Sequence, residues 1–159
     1  MSKEQLKTGT VLVASPRLTD AFFAKNVILL VDHDDLGTIG VNIAGTPRAD
    51  RFCLGGPMPG IALLVRKMTD EMEGKLEELG DTGFGCTSIG QEVQDGPMEP
   101  ADLLKLDDSL LLLGYGGWGA GQLAGEMDMG AWQLTTKTLA EIMAVPNDQR
   151  YALALQGTV

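Results

Sequence analysis

The sequence predicts an α+β domain built on a mixed, mostly antiparallel β-sheet flanked by short helices. Three observations carry that prediction. Short apolar runs rich in Val, Ile and Leu outnumber segments with helical periodicity. Several neighbouring runs are joined by connections too short for a βαβ crossover. There is no internal repeat, low-complexity tract or linker, so residues 1–159 read as one domain. A chain of this length buries roughly two-thirds of its unfolded surface.

Taken in order, Thr10-Val11-Leu12-Val13-Ala14 is a buried strand ended by Ser15-Pro16. Thr19 or Asp20 suits the cap of one helical turn through Ala24. Asn26 to Val31 is a second central strand, running into the polar Asp32-His33-Asp34-Asp35. Leu36-Gly37 turns the chain into Thr38 to Ile43, an antiparallel partner because the connection is so short. Phe52 to Pro57 is a short extended piece ending in a glycine turn, and Ile61 to Val65 is a further strand.

From Thr69 to Leu79 the period changes. Met68, Met72, Leu76 and Leu79 recur at helical spacing, acids fill the opposite face, and Gly80 suits the C′ position. This predicts an amphipathic helix. Residues 81–98 are glycine-rich, with one edge strand around Cys86 to Ile89, and Pro100 introduces a short helix over Ala101 to Lys105. Ser109 to Leu113 is a strand that ends in a glycine-rich turn, Gly114 to Gly121, followed by a helix from Gln122. Ala131 to Leu134 returns as a strand, Glu141 to Val145 is a short apolar segment, and Asp148 to Leu155 is a terminal helix.

Composition excludes several function classes. Net charge is −10, which disfavours a free-standing binder of nucleic acid or anionic lipid. The start, Met1 to Gln5, lacks the apolar core of a signal peptide, and no apolar run approaches the ~20 residues of a membrane span. Cys53 and Cys86 have no metal-ligand spacing and fit buried thiols in a reducing compartment, so the chain reads as cytoplasmic.

The glycine-rich stretch draws the functional reading. Five glycines between Gly114 and Gly121 surround Tyr115 and Trp118, and a strand handing over to a helix leaves free N–H groups. Gly114-x-Gly116-x-x-Gly119 satisfies the dinucleotide pattern. However, it lies too near the C-terminus for further βα units, and a strand resumes too soon after it. A tight turn with Trp118 plugging the core is the competing structural reading.

Gln122 and Glu126, four apart, share a helix face and can line a polar pocket with Tyr115 or pair at the surface. His33 is the single histidine, so any imidazole chemistry would use it; in an acidic strand-end loop a hydrogen-bonded structural role is the simpler reading. Asp32, Asp34 and Asp35 resemble a solvated turn more than a cation site. The nucleophile elbow, the P-loop and H-E-x-x-H are absent, so no catalytic residue, metal ligand or cofactor is assigned.

Three segments in one order resemble the YqgE/AlgH family of small bacterial proteins. The first is the strand, Ser15-Pro16, Asp20-x-x-Phe23, the Asn26 to Leu30 strand with His33, and Gly37-x-x-Gly40-Val41-Asn42-Ile43. The second is Gly55-Gly56-Pro57-Met58. The third and most specific is Gly114-Tyr115-x-Gly117-Trp118-Gly119-x-Gly121-Gln122-Leu123-x-x-Glu126, with Trp132 after it. The resemblance departs between Lys67 and Asp108, where the chain has its own acidic segment. It implies a compact α+β domain with a mixed, partly closed sheet. It also implies a transcriptional regulator, without supplying catalytic residues.

The sequence therefore points to a non-enzymatic cytoplasmic regulatory or adaptor domain that binds a small anion or a protein partner. Its candidate contacts are Tyr115, Gly117, Trp118, Gly119, Gly121, Gln122 and Glu126, with Gly55, Gly56 and Pro57. The alternative is an enzyme acting on a phosphate- or carboxylate-bearing metabolite.

Overall fold

The computed structural model describes residues 6–20, 23–45, 53–70, 74, 76–88 and 109–158. Its architecture is α+β: a largely antiparallel sheet curled into a half-barrel, with three short helices among the described residues. The strands are β1 (Val11–Ala14), β2 (Val27–Asp34), β3 (Gly37–Asn42), β4 (Cys53–Leu54) and β5 (Met58–Lys67). They continue with β6 (Glu77–Glu78), β7 (Phe84–Ser88), β8 (Ser109–Gly119) and β9 (Trp132–Leu134). The helices are α1 (Gln122–Asp128), α2 (Leu139–Met143) and α3 (Asn147–Gln156). The order across the sheet is β6-β7-β5-β8-β3-β2-β1-β9, and β4 lies parallel to β8, which makes the sheet mixed.

β1 and the first half of β2 are continuous apolar runs because both of their faces are covered. Val11, Val13, Val27 and Leu29 face an inner core shared with Val41, Leu63, Val65 and Leu112 and closed by Leu139, Ile142 and Ala154 of the last two helices. Leu12, Ala14, Ile28 and Leu30 face an outer cluster with Leu123, Trp118 and Trp132. Asp34 Oδ1 accepts the N–H groups of Leu36 and Gly37 at 2.8 and 3.1 Å. That local bond closes the β2–β3 hairpin and sets its register.

β8 joins the two halves of the sheet. Leu110 to Leu113 pair with Val65 to Ala62 of β5, whereas Gly116 to Gly119 pair with Gly40 to Gly37 of β3. Gly114, at φ +82°, sits where the β5 register shifts between Met58 and Ala62. A Cβ there would meet the carbonyl oxygens of Gly56 and Met58 at 2.6 and 3.0 Å, so glycine alone permits this bend.

Two expectations are corrected. The glycine-rich stretch is not a turn after Leu113: the strand continues to Gly119, and the turn falls at Ala120–Gly121. Glycine is accommodated there because β3 supplies a partner for the backbone and Trp118 covers the bare surface. The amphipathic helix does not run to Leu79, since Glu77–Glu78 form an edge strand on β7 and Leu79 is fully buried beyond it. Paired backbone outweighs a weak helical pattern, and the exposed glutamates suit a sheet edge. Residues 71–73 and 75 of that segment, the expected helix at 101–105, and Ala21 and Phe22 lie outside the described residues.

The terminal helix appears as α3, and the short apolar segment near Glu141 is α2. Its Thr138–Glu141 capping box supplies a start signal that periodicity alone misses. Cys53 and Cys86 are buried free thiols. No helix of the described residues is long and apolar enough to cross a membrane.

Candidate functional site

The residues singled out in the sequence separate into two groups on opposite faces of the sheet. Trp118 projects to the outer face. Its indole lies over the paired glycines Gly40 and Gly116, where a Cβ would meet the ring at 3.2 and 3.0 Å. It packs with Phe23 and Trp132 at centroid separations of 5.7 and 6.1 Å, the two indoles edge to face at 85°. Such geometry is favourable beyond the area it buries. Trp118 is only 5% exposed, so the ring belongs to the core.

Gln122 and Glu126 brace that cluster. The Trp118 and Trp132 indole N–H groups both donate to Glu126 Oε1, at 3.2 and 3.0 Å. Gln122 Nε2 donates to Glu126 Oε2 at 3.0 Å, and Gln122 Oε1 accepts the Gly119 N–H at 3.0 Å. Gly121, at φ +75°, makes the sharp entry into α1 that lets Gln122 fold back on Gly119. The third sequence motif is thus an internally bonded unit of strand, turn and helix.

Tyr115 and Gly117 face the inner side, where Tyr115 packs against the core and Gly117 is exposed. Gly55 and Gly56 meet this part of β8 directly. The Gly55 N–H donates to the Leu113 carbonyl at 2.7 Å, and a Cβ on Gly56 would collide with the Tyr115 backbone. Pro57 follows at a half-buried bend. The two glycine motifs touch each other, backbone against backbone.

A groove of about 1010 Å³ opens beside the turn after β8. Ala120, Gly121, Leu123 and Ala124 line one side, and His33, Asp34, Asp35, Thr38 and Lys7 the other. His33 is brought close to the motif by the register: it opposes Thr38, and Thr38 opposes Trp118. His33 Nδ1 lies 2.6 Å from the hydroxyl of buried Thr38, which fixes the imidazole and leaves Nε2 uncommitted to that contact. Lys7 and Thr38 were not singled out in the sequence. The two-residue hairpin connection does place Thr38 opposite His33, so register reasoning reaches it.

The electrostatics elsewhere are structural. Burial pushes the Cys86 thiol up to about 11, with the Glu77 carboxylate adding to the effect. Burial also raises Cys53, against the opposing pull of Arg150 and an Asn147 hydrogen bond. Arg66 is buried, and its Nη1 has no hydrogen-bond partner among the described residues. No cluster of three metal-ligating side chains occurs among the described residues.

A family model described as AlgH-like matches residues 11–158. A UPF0301 protein of Chlamydia muridarum is 27% identical, the match covering 96% of this chain and 86% of that one. A UPF0301 protein of Streptomyces avermitilis is 29% identical, with 94% and 85% covered. Among solved structures, a Corynebacterium diphtheriae protein superposes with a TM-score of 0.67 at 21% identity, covering 97% of this chain and 93% of that one. The AlgH protein of Pseudomonas aeruginosa gives a TM-score of 0.64 at 24% identity, with 94% and 87% covered. At these identities the structural likeness speaks for the fold.

Proposed function

The chain belongs to the AlgH-like family, and from that premise we propose that it is a non-enzymatic cytoplasmic regulatory or adaptor domain. Its ligand, a small anion or an anionic segment of a protein partner, occupies the groove between the β2–β3 hairpin and the turn after β8. The observation that supports this reading is the groove itself: it adjoins the most specific sequence motif and presents Lys7 and His33 beside exposed backbone at Ala120 and Gly121, with Asp34, whose Oδ1 is taken by the hairpin N–H groups, and Asp35 also in its lining. Gln122, Glu126 and Trp118 serve as the brace that holds this backbone in place. A regulatory role would run through a protein partner, since a net charge of −10 opposes direct contact with DNA.

The test is an NMR titration of the isotope-labelled chain with inorganic phosphate and with acetate. Saturable amide shifts at Ala120, Gly121 and Leu123, lost in the Lys7→Ala/His33→Ala double variant, are expected. Absence of those shifts, or their persistence in the double variant, overturns the reading.

One observation favours an enzymatic alternative acting on a phosphate- or carboxylate-bearing metabolite. The His33–Thr38 contact at 2.6 Å pairs a hydroxyl with a base at the edge of the groove. Turnover in a metabolite panel that disappears in His33→Ala would establish it, and no turnover would leave the binding reading in possession of the site.

A further inference from the structure

On the inner face of the half-barrel α3 packs over β1 and β2, and α2 packs against α3. A second groove of about 770 Å³ opens on the same face, remote in sequence from the turn after β8. Val31, Ile39, Leu63 and Leu76 form its apolar surface, and Leu63 continues directly into the core. Among the described residues, Asp32 and Glu77, both exposed, are the charged side chains in its lining. The register shift between Leu30 and Asp32 against β3 turns Val31 and Asp32 together toward this edge. Cys86, also in the lining, keeps a neutral thiol near pH 7, so the floor carries no charge.

We infer that this groove seats a basic peptide segment of a protein partner, anchored by an apolar side chain over Ile39 and Leu63 and flanked by Lys or Arg. Charge complementarity selects that occupant, because an apolar floor bordered by two carboxylates, on a chain of net charge −10, favours a cation carrying an apolar body. Asp32 belongs to β2 and Glu77 to β6, so an occupant that meets both carboxylates across the apolar floor carries more than one cation, as a basic peptide does and a simple monoamine does not. The inference uses none of the residues of the phosphate titration, so the two readings stand or fall separately.

The probe is an acetylated, amidated hexapeptide of alternating Leu and Lys, titrated into the labelled chain. Amides of Ile39, Leu63 and Thr87 are expected to shift saturably while those of Leu123 and Ala124 stay fixed. The Asp32→Asn/Glu77→Gln double variant, altered only at exposed side chains, should bind about tenfold more weakly, as two exposed ion pairs allow. An Asp128→Asn/Asp148→Asn variant makes the same change in net charge outside the groove and should bind as the parent does. Four results would each overturn the inference: no saturable shift at the groove, equal weakening in both double variants, equal binding of a Leu-Glu hexapeptide, or hexylamine saturating the same amides as tightly.

Discussion

Trp118 of β8 and Trp132 of β9, an edge-to-face pair, point their indole N–H groups at one oxygen, Glu126 Oε1. Two strands that never touch in the sheet order are thereby tied through a helix side chain. Replacing Glu126 with Ala leaves two buried donors unsatisfied and should cost about 2–4 kcal/mol. Glu126→Gln keeps one carbonyl acceptor for both indoles and should cost about 1 kcal/mol. Urea denaturation followed by tryptophan fluorescence reads both values. An Ala variant within ~0.5 kcal/mol of the parent would remove the bracing role.

Gly56 and Gly117 make opposite predictions. A methyl group at Gly56 would enter the Tyr115 backbone, which cannot swing aside as a side-chain end can. Gly56→Ala should therefore destabilise by about 3 kcal/mol or give insoluble protein. At Gly117 the nearest atom is the Tyr115 ring at 3.9 Å, and the backbone is a regular strand. Gly117→Ala should be neutral or stabilising by up to ~1 kcal/mol. Thermal denaturation of the two variants side by side checks the contrast, and equal behaviour contradicts the packing.

Arg150 holds the two terminal helices to the sheet. Its Nε, Nη1 and Nη2 donate to the carbonyls of Val145, Ile43 and Met143 at 3.1, 2.9 and 3.2 Å. Lysine cannot reproduce that fork, so Arg150→Lys should lose about 2 kcal/mol and Arg150→Ala about 3 kcal/mol. Hydrogen exchange of the α3 amides should accelerate in both. Unchanged protection would mean that α2 and α3 are held by apolar packing alone.

These contacts explain what the sequence made legible and what it hid. The apolar strands Val11–Ala14 and Val27–Leu30 could be read because burial on both faces leaves an unbroken apolar run. The strand character of Gly116–Gly119 could not, because what makes glycine acceptable there is a ring two residues away and a partner strand far back in the chain. Glu77–Glu78 were misread for a similar reason: their strand state comes from β7, not from their own propensity. At the candidate groove His33 was visible as a lone imidazole, whereas Lys7 entered only once the fold set the segment before β1 beside the hairpin.

The capping box at the start of α2 gives a pH dependence with a definite sign. Thr138 Oγ1 accepts the Glu141 N–H at 3.1 Å, and Glu141 Oε1 accepts the Thr138 N–H at 2.9 Å. The backbone hydrogen bond to Thr138, followed by the side-chain one, holds the Glu141 carboxyl below its ordinary value of 4.5. A depressed folded-state value means that the ionised carboxylate stabilises the fold above the unfolded value. That contribution disappears as pH falls through the folded one. Glu141→Ala should accordingly be less stable than the parent at neutral pH, and the gap should narrow below about pH 4.5. Thr138→Ala, which removes the cap itself, should cost about 1 kcal/mol at neutral pH. Urea melts of the three proteins at neutral and acid pH measure both effects. A gap for Glu141→Ala that stays constant into acid would mean that the carboxylate is not what secures α2.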